Sequence, residues 1–172
     1  MKIKLIIIAS LFSLGLKAQE LAVSNVAKIS MPKKVQKLDM AKMVENPQGL
    51  LKKRDVQYSS KNANLYEKDG VYIKIWETKE GYRKRTLKQV QSESADIYKL
   101  VKTSKIVSSD IKNYKGINYL ILRTEEESEY YYRFYSEAHN DISINGFIKY
   151  KKEDQNKATS SLTEILNNTQ FK

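Results

Sequence analysis

The side chains that could do chemistry in this chain of 172 residues are few and scattered. His139 is the only histidine and there is no cysteine, which excludes a thiolate nucleophile and a histidine–cysteine metal site. His139 stands beside Asn140 and Asp141 between two predicted strands, a setting typical of a solvated turn residue. No Gly-x-Ser-x-Gly motif is present, so serine hydrolysis has no support either. We therefore predict no catalytic residue, cofactor or metal site.

Carboxylates offer two further kinds of chemistry. Residues 125–127 together with Glu129 could gather a hard cation, but they lack the Asp, Asn and Gly spacing that shapes a calcium loop. This pattern favours a solvated acidic turn. Glu77, Glu80 and Glu129 are candidate paired acids for hydrolysis of a cell-envelope polymer. That reading requires two carboxyl groups about 5–10 Å apart in one cleft.

A binding surface is the stronger hypothesis. In the strand predicted at 71–77, alternation sends the aliphatic residues to one side and aromatic and basic residues to the other. The only tryptophan of the chain lies among the latter, and a basic run follows after a short turn. A tryptophan beside cations can anchor an acidic partner, although a ring in such a place more commonly packs beneath a helix, here the N-terminal one. The candidate partner-binding residues are Tyr72, Lys74, Trp76, Arg83, Lys84 and Arg85.

The first residues indicate export. A basic start at residues 1–4 precedes an apolar run at 5–16, within the about 7–15 residues typical of a signal peptide, and Ala18 supplies a small residue for cleavage. We predict a signal peptide at 1–18, resembling the leaders of Bacteroidetes proteins, and a mature chain beginning at Gln19. Without cysteine, lipoprotein processing is chemically excluded. The predicted location is the periplasm or the exterior, and the protein is not integral to a membrane.

Charge points to acidic partners. The chain contains 31 Lys and Arg against 20 Asp and Glu, a formal charge of +11. Loss of Lys2, Lys4 and Lys17 with the leader leaves 28 − 20 = +8. Such a charge steers acidic proteins, anionic lipid or acidic polysaccharide toward the surface. Nucleic acid fits poorly with an exported protein.

Hydrophobic periodicity predicts one α+β domain at 19–172, best supported at 63–172. A hairpin at 63–67 and 71–77 turns at Asp69 and Gly70, and a helix at 85–101 carries a stripe of Leu87, Val90, Ile97 and Val101, which we expect to be buried. The other predicted elements are a strand at 21–29, a helix at 33–45, a four-strand meander at 105–114, 117–125, 129–138 and 142–150, and a helix at 154–168 capped by Asp154.

Several strands are apolar or aromatic on both faces, so helices must cover both sides of the sheet. The predicted architecture is an antiparallel sheet of about six to seven strands sandwiched between helices. In element order and hydrophobic pattern, residues 63–172 resemble the Mog1/PsbP-like superfold, which has a long helix after its first hairpin, then a meander and a C-terminal helix. Residues 31–62 fit this pattern least well.

The resemblance implies a non-catalytic binding or adaptor module, because characterised relatives of this fold mostly bind proteins. An immunity or chaperone-like partner of a secreted effector is a more specific form of this expectation. Two alternatives stay open: an envelope-polymer hydrolase with paired carboxylates, and a basic module that binds anionic lipid or polysaccharide.

Overall fold

The computed structural model describes residues 20–22, 27–57, 63–81 and 84–172. The predicted leader and its cleavage point lie outside these residues. A seven-stranded antiparallel sheet, in the order β3-β4-β5-β9-β8-β7-β6, forms the centre of the fold. Its strands are β3 (Gln36–Leu38), β4 (Asn64–Lys68), β5 (Val71–Lys79), β6 (Ser104–Tyr114), β7 (Ile117–Glu126), β8 (Glu129–Ser136) and β9 (Ile142–Tyr150).

A second, small antiparallel sheet joins the two ends of the described chain. It consists of β1 (Glu20–Ala22), β2 (Ala27–Ser30) and β10 (Thr169–Phe171), with β2 in the middle. The helices are α1 (Met40–Glu45), α2 (Lys53–Gln57), α3 (Leu87–Leu100) and α4 (Gln155–Asn167), the last preceded by a 3-10 turn at Lys152–Asp154. This is the predicted α+β architecture.

Tight turns account for the hairpins of the main sheet. Asp69 and Gly70 have φ of 52° and 83°, and Lys115 and Gly116 have φ of 48° and 90°. Two successive positive φ values match the right-handed twist of the paired strands, which is why Asp-Gly favours such a turn. The predicted hairpin and the four-strand meander are therefore confirmed, with strand ends shifted by at most a few residues.

The two faces of the main sheet are covered differently. On the face that we call the core face, α4 and the small sheet bury Ile73, Phe134 and Ile148. On the opposite face, which we call the cleft face, α1 and α2 cover the β4–β5 side and α3 lies over β6 and β7. Within the described ranges, no element covers the middle of the cleft face, in the gap between α2 and α3.

Four local predictions were wrong. The strand expected at 21–29 is split into β1 and β2, and the helix expected at 33–45 begins only at Met40, after β3. The side chain of Asp39 starts that helix by accepting hydrogen bonds from the backbone of Ala41 and Lys42. Asp154 makes no capping bond to α4 and pairs with Lys157 at 2.7 Å instead.

The fourth error concerns the stripe of α3, which we expected to be buried. No residue of α3 is buried, and Ile97 and Val101 are 60% and 42% exposed. The helix itself is well formed, since Thr86 and Gln89 make a capping box at its start. Its apolar stripe overhangs the open gap because no element covers that side of the helix in the described part of the chain.

Candidate functional site

The gap between α2 and α3 contains two cavities that share Trp76, and we call them together the Trp76 cleft. The first, of about 270 Å³, lies beneath α3 and is lined by Val90 and Ile97 from the helix and by Tyr135 from the sheet. The second, of about 280 Å³, lies beside α2 and is lined by Arg54, Asp55, Lys74, Trp76, Glu126, Arg133 and Phe147. The cleft thus combines aromatic surface with charged groups of both signs.

Trp76 lies on the floor of this cleft and is half-buried. Its ring meets the Phe147 ring edge-on, with centroids 6.3 Å apart and planes at 63°. Lys74 Nζ lies 6.0 Å from the Trp76 centroid and 5.9 Å from that of Phe147. β5 and β9 are paired in the register that sets Lys74 against Phe147, so sheet pairing fixes this group.

Lys74 is buried in a strand, at 1% exposure. Its ammonium donates a 2.7 Å hydrogen bond to the backbone oxygen of Asp55 at α2. Burial lowers the pKa of Lys74 to about 8, although the nearby Asp55 charge acts in the opposite direction. Keeping this amine charged beside two aromatic rings therefore costs free energy.

A second buried cation, Lys149, ties α2 to the sheet. Lys149 Nζ contacts Asp55 Oδ2 at 2.6 Å and Glu129 Oε2 at 2.9 Å. The hydroxyl of Tyr131 donates toward the same two carboxylates, at 3.2 and 3.3 Å. Burial, followed by these negative charges, raises the pKa of Tyr131, so the phenol stays protonated. This network holds the α2 wall of the cleft in place.

The α3 wall is held by a third network. Arg133 donates to Glu126 Oε1 at 2.8 Å, and Tyr98 of α3 donates to the same oxygen at 2.6 Å. Burial alone would raise the pKa of Glu126, but the Arg133 charge and the hydrogen bonds from Tyr98, Arg133 and Thr124 outweigh it and lower the pKa. Glu126 is therefore an ionised structural group, unlike the proton-donating acid that a hydrolase requires.

The predicted binding residues are only partly brought together. Lys74 and Trp76 line the cleft, and so does Arg85, which is paired with Glu93 at 3.4 Å. Tyr72 lies on the same face but its hydroxyl packs against Gly49, and it lines neither cavity. Lys84 pairs with Asp141 at 2.6 Å and also lies outside both cavities. Arg83 lies outside the described residues.

The candidate acids do not converge on one cavity. Glu80 lines the cavity under α3, where it accepts a 2.9 Å bond from Ser143, whereas Glu129 is occupied by Lys149 and Glu77 lies on the core-face side of β5. His139 is an exposed turn residue stacked on Phe171, with centroids 5.1 Å apart. Among the described residues, no group of three His, Asp or Glu side chains could hold a metal ion.

In the cavity beside α2, sequence reasoning missed five lining residues, namely Arg54, Asp55, Glu126, Arg133 and Phe147. One signal was available: Arg133 and Lys149 are charged residues inside β8 and β9, and the residues on either side of each are apolar or aromatic. A charge at such a position is expected to be paired. Residues 49–58 gave no clear pattern, so nothing indicated that α2 would supply the partner.

Comparison with known proteins supports the fold and does not extend to a family. No protein-family model and no curated protein matches the chain. The solution structure of cyanobacterial PsbP (CyanoP) from Synechocystis sp. PCC 6803 matches with a TM-score of 0.58 at 9% identity, covering 96% of this chain and 99% of that one. A crystal structure from Bacteroides thetaiotaomicron VPI-5482 matches with a TM-score of 0.52 at 10% identity, covering 85% and 45%. The predicted PsbP-like fold is confirmed at this level.

The helices were also compared with the length of a membrane span. Within the described ranges, none is both long and apolar enough to cross a bilayer.

Proposed function

We propose that this protein is a non-catalytic binding module, exported to the periplasm or the exterior, whose Trp76 cleft receives an acidic protein partner. The observation that carries the proposal is the position of Trp76, a half-buried ring on the floor shared by two cavities. Tryptophan in a partly desolvated hollow is the residue type most often found to dominate binding energy at interfaces.

The chemistry of the cleft supports binding over hydrolysis. In the cavity beside α2, Asp55 and Glu126 are each paired with a buried or half-buried cation, Lys149 and Arg133. In the cavity under α3, Glu80 and Glu93 both contact Arg85. Every carboxylate that lines the cleft therefore has a cationic partner, whereas a hydrolase needs an acid that is available to its substrate. The α3 wall carries Ile97, an apolar side chain that is 60% exposed. A partner that covered Ile97 and Trp76 would remove apolar surface from water, which favours association.

Charge supports an acidic partner. Arg54 and Arg85 line the cleft, with side chains 41% and 46% exposed. Their local acids neutralise part of this charge, while the mature chain keeps an excess of positive charge that steers an acidic surface toward it. An effector neutralised by an immunity or chaperone-like protein fits this description, and so does an acidic envelope protein.

The test is a capture experiment with the purified protein as bait in an envelope extract of the native host. A partner identified by mass spectrometry is then titrated by isothermal titration calorimetry, a signal that the Trp76→Ala variant retains. Trp76→Ala should weaken binding at least tenfold, as for an interface anchor, while the melting temperature changes little. Phe171→Ala is the matched control, because Phe171 is a partly exposed ring stacked on His139 in the small sheet.

Unchanged affinity in Trp76→Ala would reject the cleft as the binding site. The protein could instead bind anionic lipid vesicles or acidic polysaccharide, and lose that binding in moderate salt. This result would show that the ligand is a polyanion and not an acidic protein. Hydrolysis of an envelope polymer by the purified protein would reject the non-catalytic assignment.

Export has its own test. Protein from the native host should begin at Gln19, because Ala18 is the small residue that ends the apolar leader. N-terminal sequencing and fractionation measure this directly. A chain that keeps Met1 and sediments with membranes would contradict it.

A further inference from the structure

In the part of the chain that the structure describes, the outer edge of β6 is the longest edge of the main sheet that no other strand covers. β6 has 11 residues and ends the sheet on one side, whereas β3, at the other end, has three. Most side chains of β6 are exposed, Val107 at 43% and Ile111 at 38% among them. A long open edge presents unpaired backbone groups and is a template for another strand.

The turn that follows β6 determines which of its backbone groups face outward. Tyr114 and Ile117 flank the two-residue loop at 115–116 and form a hydrogen-bonded pair, after which bonded and non-bonded positions alternate along the ladder. Asp110 and Lys112 therefore bond inward to β7, while Ser109 and Ile111 direct their N–H and C=O groups to the open edge. In agreement, the Ser109 carbonyl accepts a 3.2 Å bond from the Gln91 side chain of α3.

We infer that a second copy of this chain pairs with this edge, β6 against β6, antiparallel about a twofold axis at Ile111. In this register Ile111 faces Ile111 of the second copy and exchanges both backbone bonds with it. Asp110 then lies opposite Lys112 of the second copy, and Lys112 opposite its Asp110. A twofold interface needs such self-complementarity, since each residue pair occurs twice. About six backbone hydrogen bonds form across residues 108–114.

The charges select this register over its neighbours. Residues whose backbone groups point to the open edge must lie opposite each other in the two copies. The alternative registers therefore place the twofold axis one residue earlier or one residue later along β6. An axis at residue 110 sets Asp110 against Asp110, and an axis at 112 sets Lys112 against Lys112. Like charges directly opposite one another on a sheet are unfavourable, whereas opposite charges stabilise.

The bulge of β6 limits the length of the pairing. Val107 has no opposite residue on β7, since the register shifts between Ile106 and Ser108. A bulge bends the strand and ends regular pairing, so residues 104–107 do not extend the interface. Two copies therefore join over the half of β6 that contains Asp110, Ile111 and Lys112. This inference does not depend on the Trp76 cleft, which lies on the other side of α3.

Sedimentation equilibrium of the purified protein from about 1 µM to about 500 µM tests the inference, with a reversible dimer expected in this range. Asp110→Lys alone, or Lys112→Asp alone, creates two like-charge pairs, because each pair occurs twice about the twofold axis. Either variant should raise the dimer Kd about tenfold or more. The double variant Asp110→Lys/Lys112→Asp restores both pairs and should return the Kd to within about threefold of the parent. Ile111→Lys, which sets two lysines on the axis, should dissociate the dimer.

The matched control is Glu45→Lys. It changes the net charge as much as Asp110→Lys does, at an exposed position at the end of α1. Its Kd should equal that of the parent. A monomer at every concentration would overturn the inference, as would a dimer indifferent to the single variants or a charge swap that restores nothing. Circular dichroism and melting curves of each variant separate lost pairing from lost folding. A monomer that pairs only with a strand of a different protein would also overturn it.

Discussion

Lys149 Nζ lies 2.6 Å from Asp55 Oδ2, and the two side chains are 0% and 5% exposed. The contact joins residues 94 positions apart in the chain and fixes α2 against β9. Two charges taken out of water are tolerated only when they are paired and further hydrogen-bonded, a condition that Glu129 and Tyr131 help to satisfy. The α2 wall of the Trp76 cleft therefore depends on this ion pair.

Removing one partner should be costly. Lys149→Met leaves the Asp55 carboxylate buried without its shortest ionic contact, and we expect a loss of about 3–5 kcal/mol in the free energy of unfolding. Lys105→Met is the control, because its 2.9 Å pair with Glu125 is solvent-exposed and its loss should change stability far less. Urea denaturation measures both. Equal losses in the two variants would show that the Lys149 pair is not buried in solution.

Lys74 should make the free energy of unfolding vary with pH in the alkaline range. Its pKa is about 8 in the folded protein against 10.5 ordinarily, so between these values the unfolded chain binds more protons. The free energy of unfolding then rises with pH across this window, by up to about 3 kcal/mol. Tyr66 opposes this above about pH 10, because burial raises its pKa to about 12 and only the unfolded chain loses the phenolic proton there.

The clearest measurement of this effect lies below the tyrosine range, between about pH 8 and 9.5. Denaturant unfolding of the parent should show rising stability over that interval. In Lys74→Met the rise should disappear, since the group that releases the proton is gone. A parent whose stability is flat or falls over the same interval would contradict the lowered pKa.

The exposed stripe of α3 leads to a third prediction. Ile97→Ala should change the free energy of unfolding by only about 0.5 kcal/mol, because the side chain is 60% exposed. Ile165→Ala, the same change in α4, removes a side chain that is 0% exposed and should cost about 2–5 kcal/mol. Chemical denaturation compares the two variants. A loss of several kcal/mol for Ile97→Ala would mean that α3 packs more closely than the structure shows.

The sequence predicted those elements whose signals are local. Asp69-Gly70 and Lys115-Gly116 specify tight turns between strands of period two, so the hairpin and the meander could be placed from their residues alone. The hydrophobic period also predicted α3. It did not predict that the apolar stripe would overhang a cleft, because periodicity shows which residues share a face and not what covers that face. In the region before residue 63, short strands and helices of three to six residues left too little pattern to separate them.

The residues of the candidate site likewise fall into those with a local sequence signal and those without one. Alternation along β5 placed Lys74 and Trp76 on one face, and both line the cleft. Asp55 and Glu126 reach the same cavity from α2 and from the end of β7, and no local pattern reports such long-range pairing. Lys84 is close to Trp76 in sequence, yet its contact is with Asp141.

Gly146 provides the last prediction. It lies in β9 opposite Ile75 of β5 and Phe134 of β8. A Cβ at this position would stand 2.6 Å from Phe134 Cε1 and 2.7 Å from the backbone oxygen of Lys74, closer than real Cβ contacts. The Phe134 ring is 0% exposed and the oxygen belongs to the sheet backbone, so neither can move freely. Gly146 is required by the close approach of that ring.

We therefore expect Gly146→Ala to cost about 1–3 kcal/mol or more through overpacking of the core. Gly81→Ala is the matched control, because nothing lies within 4 Å of the place that a Cβ would take there and its cost should be negligible. Combining Gly146→Ala with Phe134→Leu should cost less than the sum of the two single changes, since the smaller side chain removes the clash. Thermal and urea unfolding of the four variants gives the coupling energy. Strict additivity, or a Gly146→Ala protein as stable as the parent, would show that Phe134 does not pack over Gly146.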